Sequence, residues 1–176
     1  MAKSATSVVE TKKPKPTGQK AASSRQKATS SRQRSHGFAD KYLATPSERI
    51  SMIRAGVHAE DLIRTSTEMG VSKERILTML NVPRSTFNRR QKAGEVLSAE
   101  HSERIINLQK LIGQVEIIVS ESGTQQDFDA ALWLANWLEQ TIPALDNLKP
   151  VDYLDTIEGM ELLSSLIAKM QSGAYA

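Results

Sequence analysis

The chain has 176 residues, 39% of them hydrophobic, and a formal net charge of +3. It contains no cysteine, which excludes a disulfide framework and a thiolate metal site, and its histidines, His36, His58 and His101, lack ligand spacing. No apolar run is long enough to span a bilayer and no apolar h-region of a secretory signal stands near the start, so a soluble, cytoplasmic protein is expected.

Charge is polarised along the chain. Residues 1–37 carry nine Lys and Arg against one acid, residues 38–120 twelve against ten, and residues 121–176 two against nine. Such polarity suggests two surfaces for two partners, the basic end suiting nucleic acid and the acidic end repelled by it. Residues 1–37 are low in complexity and poor in apolar side chains, so they cannot bury enough surface to offset their ordering entropy. They are read as a disordered basic tail. Such a tail either adds salt-sensitive phosphate contacts or serves only as a solubilising arm.

The folded part is expected to begin at residues 38–43. Thr45-Pro46-Ser47-Glu48 reads as a helix start, with Thr45 as cap, Pro46 in the first position and Glu48 completing a capping box. Ile50, Ile53 and Val57 are expected to form its inner face. A second helix is predicted over residues 58–69, with Leu62, Ile63 and Met69 apolar and Gly70 as its stop.

Residues 71–94, VSKERILTMLNVPRSTFNRRQKAG, read as two short helices around a tight turn. Ser72 is a good N-cap, and Ile76 and Leu80 lie four apart on one face. Asn81 tolerates a left-handed turn, and Pro83 suits the start of the second helix. That helix needs Phe87 inside. Arg84, Ser85, Thr86, Asn88, Arg89 and Arg90 surround it with hydroxyl, amide and guanidinium groups. These bond phosphates and base edges when a helix lies in a DNA groove. The stretch resembles the helix-turn-helix of phage-repressor-like (Xre-type) regulators. It departs from that pattern at Leu77, where a small residue is common, at Asn81 in place of a turn glycine, and at Arg90, where an apolar residue is common. A surface hairpin with a solvated basic face is the alternative.

Gly94 ends the pattern, and Ser98 caps a long helix predicted to about residue 119. Its stripe of Leu108, Leu111, Ile112, Val115, Ile118 and Val119 is either intradomain core or in part a dimer seam, since DNA readers of this kind dimerise to match two half-sites. A polar break follows, with Thr124 as the expected cap of a helix over residues 125–140. Phe128, Ala131, Leu132, Ala135 and Leu138 are read as one face, and Trp133 and Trp137 as an adjacent one, either interface or core. Residues 141–149 form a loop broken by Pro143, and Pro150 opens a short helix. Thr156 caps the last helix, with stripe Met160, Leu163, Leu166, Ile167 and Met170, and Gly173 stops it. No β-rich alternation occurs, so the fold is expected to be all-α.

A second resemblance, which covers about residues 38–176 and includes the upstream run PRSTFNRRQKAGEVLSAEHSERI, is stronger. The run FDAALWLANWLEQTIPALDNLKPVDYLDTIEGMELLSSLIAKMQSGAYA is similar to the toxin-binding domain of Xre/MbcA/ParS antitoxins. It is carried by Trp133-Leu134, Trp137-Leu138, Pro143-Ala144-Leu145, the run KPVDYL at residues 149–154, Thr156 with Gly159, and the ending Gly173-Ala174-Tyr175-Ala176. Asp146-Asn147 stands where a glycine-containing turn is usual. The resemblance implies an antitoxin with no catalysis of its own and no cofactor. It implies an Xre-like helix-turn-helix domain over residues 38–120 and a helical toxin-binding domain over residues 121–176. Its partners would be a RES-domain toxin that consumes NAD or ADP-ribosylates a target, and operator DNA, with the chain a homodimer in a larger hetero-oligomer. Trp133, Trp137, Lys169, Met170, Gly173, Ala174, Tyr175 and Ala176 are the expected toxin-facing residues. A stand-alone repressor whose C-terminal domain dimerises or senses a ligand is the alternative function.

Overall fold

A computed structural model describes residues 37–123 and 128–171. Residues 1–36, the expected cap Thr124, and Gly173, Ala174, Tyr175 and Ala176 lie outside them. The described residues form eight α-helices: α1 (Phe38–Leu43), α2 (Pro46–Ala55), α3 (Ala59–Glu68), α4 (Lys73–Met79), α5 (Arg84–Ala93), α6 (Ala99–Glu121), α7 (Ala130–Leu138) and α8 (Ile157–Gln171). Short 3-10 turns, Pro143–Leu145 and Pro150–Tyr153, link α7 to α8. Among the described residues there is no strand, only the isolated bridges His58↔Val96 and Ile142↔Leu148, as an all-α reading requires. No described helix is long and apolar enough to cross a membrane.

Local chemistry sets the helix ends. Thr45 accepts from the Glu48 amide at 3.3 Å while the Glu48 carboxylate accepts from the Thr45 amide at 2.7 Å, a reciprocal capping box. Ser72, Ser98 and Thr156 accept from the amides of Arg75, His101 and Gly159 at 3.1, 3.3 and 3.0 Å. Gly70 and Gly94 close α3 and α5 at φ of 65° and 64°, where a side chain would be strained. Helix α7 starts later than residue 125. Asp129 is extended and accepts from the Leu132 amide at 2.9 Å, so it is the cap.

Helix α6 is the centre of the molecule. Ile105, Ile106, Leu108, Leu111, Ile112 and Val115 are all buried, and α1, α2, α7 and α8 pack around it. A helix apolar on more than one face has to be enclosed. The stripe read as a possible dimer seam is thus consumed inside the chain, with Ile118 and Val119 half-buried against the same core. Helix α3 packs on α4, α5 and α7, so the two halves share one core.

Two expected inner faces are corrected. Ile50 is 47% exposed and α2 buries no residue fully, because it lies across α6 as an outer helix and lends only Met52 and Ile53 to the core. Leu132 is also 47% exposed. The inner face of α7 runs through Ala131, Leu134, Ala135 and Leu138, three and four residues apart, which leaves Leu132 off the stripe.

Polar side chains on α6 are paired across the core. Gln109 donates to Thr65 Oγ1 at 2.8 Å. Gln114 donates to the Ser164 carbonyl at 2.9 Å and accepts from its hydroxyl at 2.7 Å. Ser102 accepts from the Val57 amide at 2.9 Å. Gly113 lets α1 sit directly on α6, since a Cβ there would lie 2.0 Å from the Phe38 carbonyl oxygen. One turn on, Glu116 accepts from the Ala39 amide at 2.8 Å.

Two outcomes follow from this junction. Gly113→Ala should lower the thermal midpoint, because an overpacking cost of about 1–3 kcal/mol exceeds the gain in helix propensity of at most about 1 kcal/mol; an unchanged midpoint would show that α1 can shift freely. Burial pushes the Glu116 carboxyl up, the Ala39 hydrogen bond draws it partly back, and the charges of Glu68, Asp129 and Asp40 add to the rise. A raised acid stabilises the fold in its neutral form, so this contribution is present at low pH and lost as pH rises through the raised value. Glu116→Gln should therefore raise the midpoint at about pH 7 and make no difference at about pH 4.

Candidate functional site

The turn between α4 and α5 is a Schellman motif closed by asparagine. The Val82 amide donates to the Leu77 carbonyl at 2.8 Å and the Asn81 amide to the Thr78 carbonyl at 3.1 Å. Asn81 takes φ 49°, the conformation a glycine would otherwise supply. Val82 and Leu77 are buried beside it, so the bulky Leu77 is part of the core that anchors the turn.

Phe87 is the one buried residue of α5. The Lys73 ammonium lies 5.9 Å from the centre of its ring, within cation–π range. With Phe87 inward, the 100° step of an α-helix turns Ser85, Arg89 and Lys92 outward, and all three are exposed. Thr86 and Asn88 flank this face and are half-buried. Arg84 and Arg90 flank Phe87 around the helix and each has a carboxylate neighbour, with the Arg84 side chain still 67% exposed. Arg84 is 3.4 Å from Glu74, and Arg90 pairs with Glu95. The six expected DNA-facing residues are thus brought to one helix but not to one face. Lys92, which is not among the six, shares the outward face. Its signal was spacing, seven residues after Ser85 and three after Arg89.

The C-terminal half presents a different chemistry. Trp133 stacks on Trp137 with ring centres 6.1 Å apart and planes 10° apart, and Phe128 tilts against Trp133 at 6.3 Å. Trp137 is buried, so it belongs to the core; Trp133 is half-buried. Lys169 is exposed and Met170 half-buried at the end of α8. The four terminal residues expected to face a partner lie outside the described residues. Asp146 and Asn147 take φ of 54° and 61°. This dipeptide therefore builds with two left-handed residues the turn for which glycine is usual, and it leaves Leu148 half exposed.

The two halves are joined by an ion cluster. The Glu139 carboxylate, at the end of α7, accepts from Arg75 of α4 and from Lys149 at 3.3 Å. The Arg75 hydrogen bond, with help from Lys149, holds this carboxyl below its usual range.

This arrangement agrees with comparisons to known proteins. The family model of the antitoxin Xre-like helix-turn-helix domain matches residues 48–110. The model of the antitoxin Xre/MbcA/ParS C-terminal toxin-binding domain matches residues 125–173. A curated relative, a Prs ADP-ribosylating antitoxin of Sphingobium sp. (strain YBL2), is 43% identical over 135 residues, covering 77% of this chain and 85% of that protein. The chain belongs to the Xre/MbcA/ParS family of antitoxins, with a helix-turn-helix domain and a toxin-binding domain.

Proposed function

We propose that this antitoxin neutralises a RES-domain toxin by covering its active site, and represses its own operator as a homodimer. Residues 121–176 would hold the toxin and residues 38–120 the DNA. The observation that carries the reading is the contrast between α5, which buries only Phe87 and turns Ser85, Arg89 and Lys92 to solvent, and the acidic half matched by the toxin-binding domain. The relative's name refers to ADP-ribosylation of Prs, which supports ADP-ribosylation as the chemistry of the toxin. The chain itself would act without catalysis and within the cytoplasm.

On the DNA side, the outward set Ser85, Arg89 and Lys92 would meet the groove, with Thr86 and Asn88 at its edges. Arg84 and Arg90 would contribute less, because each already serves a carboxylate. Arg89→Ala should therefore weaken binding to the DNA immediately upstream of its gene more than Arg90→Ala. A lost base contact costs about 1–3 kcal/mol, and toxin binding should be retained. Equal effects of the two substitutions, read by titration at one salt concentration, would sink the assignment of faces.

On the toxin side, the ending Ala174-Tyr175-Ala176 would enter the toxin's NAD site. Its single ring suits an aromatic-accepting wall in that site. The acidic half would steer association with a basic cleft. A chain truncated after Gly173 should still co-purify with the toxin yet leave measurable NAD consumption. Full neutralisation by that truncation would place inhibition on the helical surface instead.

A further inference from the structure

We propose that Arg104, on α6, is a positioning residue for DNA reading. Its guanidinium clasps the turn between α4 and α5 and so sets the attitude of α5, an inference that rests on the reading of α5 as the DNA-facing helix. Arg104 Nη1 donates to the carbonyls of Leu80 and Asn81 at 3.2 and 3.1 Å. Its Nη2 donates to Glu100 at 2.8 Å. The side chain is 16% exposed, so it is packed into the turn, unlike Arg89.

Helix C-termini leave carbonyls without partners and favour a cation. The Schellman bonds of α4 use the Leu77 and Thr78 carbonyls. The Leu80 and Asn81 carbonyls follow after Met79, and Arg104 takes both. Asparagine at φ 49° is costlier than glycine there. A rigid guanidinium fork making charge-assisted bonds offsets that cost. Glu100, one turn back on α6, orients the fork. Because α6 is fixed by the core, the clasp passes its position to the residues that open α5. A lysine can bring a single ammonium to these carbonyls but lacks the second, coplanar amino group that meets Glu100, and a methionine can donate to neither carbonyl.

The test uses the full chain with Arg104→Met, Arg104→Lys and the double variant Asn81→Gly with Arg104→Met. The probes are a duplex from immediately upstream of its own gene and a scrambled duplex of equal length. Arg104→Met should bind the upstream duplex at least about tenfold more weakly, as loss of charged hydrogen bonds implies. It should bind the scrambled duplex within about twofold of the parent chain and keep its salt dependence, because Arg104 would touch no phosphate. Amide exchange at Val82 should quicken, Arg104→Lys should be intermediate, and the glycine double variant should recover part of the affinity. Equal losses on both duplexes with a shallower salt slope would make Arg104 a phosphate ligand and overturn the proposal. Unchanged discrimination with unchanged Val82 exchange would also overturn it. If Arg104→Met does not fold, Arg104→Lys must show the same two effects at smaller size. If the parent chain does not tell the duplexes apart, the DNA reading of α5 fails, while Val82 exchange still decides whether Arg104 holds the turn.

Discussion

Enclosure of α6 is the constraint on which the other elements depend. A helix of 23 residues with Ile105, Ile106, Leu108, Leu111, Ile112 and Val115 all buried exposes far too much apolar surface to stand alone. Helices α1, α2, α7 and α8 are its cover. The polar groups that ride inward with it are each satisfied by a different neighbour: Ser102 by the chain entering α3, Gln109 by α3 itself and Gln114 by α8. Unpaired, these groups would each cost a large fraction of a domain's net stability. They therefore select one arrangement of the covering helices from the many that apolar contact alone would accept.

The helix-turn-helix inherits its geometry from this centre. Helices α4 and α5 are short, and α5 is anchored to the core by a single buried ring. Their mutual angle depends on a turn in a left-handed conformation and on bonds arriving from residues distant in sequence. Short helices gain most of their stability from packing rather than propensity. Arg75 ties α4 to the end of α7 as well, so the hairpin is held from two sides.

Local punctuation was the most legible part of the sequence. Thr45, Ser72, Ser98 and Thr156 act as caps where their side chains suggested it, and Gly70, Asn81 and Gly94 turn left-handed where a stop was expected. These features involve partners within a few residues, which a reader of the chain can see. The apolar stripes were legible only in part. Ile50 and Leu132 have the right spacing and hydrophobicity, but exposure is decided by which neighbour lies across the helix. The stripe on α6 was seen without Ile105 and Ile106, and hence without the conclusion that the helix is enclosed rather than amphipathic. On α5 the residue types were legible, whereas the pairing of Arg84 with Glu74 and Arg90 with Glu95 sorts them into outward and engaged groups. No local pattern announces that Arg104 lies against the Asn81 carbonyl.

The sharing of α6 has a consequence for how such proteins exchange parts. The two matched domains end at residue 110 and begin at residue 125, which invites recombination in between. That interval is the second half of α6, and it holds Gly113 beneath α1 and Gln114 against Ser164 of α8. A crossover there would separate Gly113 from the backbone it must admit, or Gln114 from the serine it must satisfy. New pairings of DNA specificity with toxin specificity would therefore have to be inherited with matched α1, α6 and α8 surfaces. In this architecture the unit of evolutionary exchange is larger than either domain.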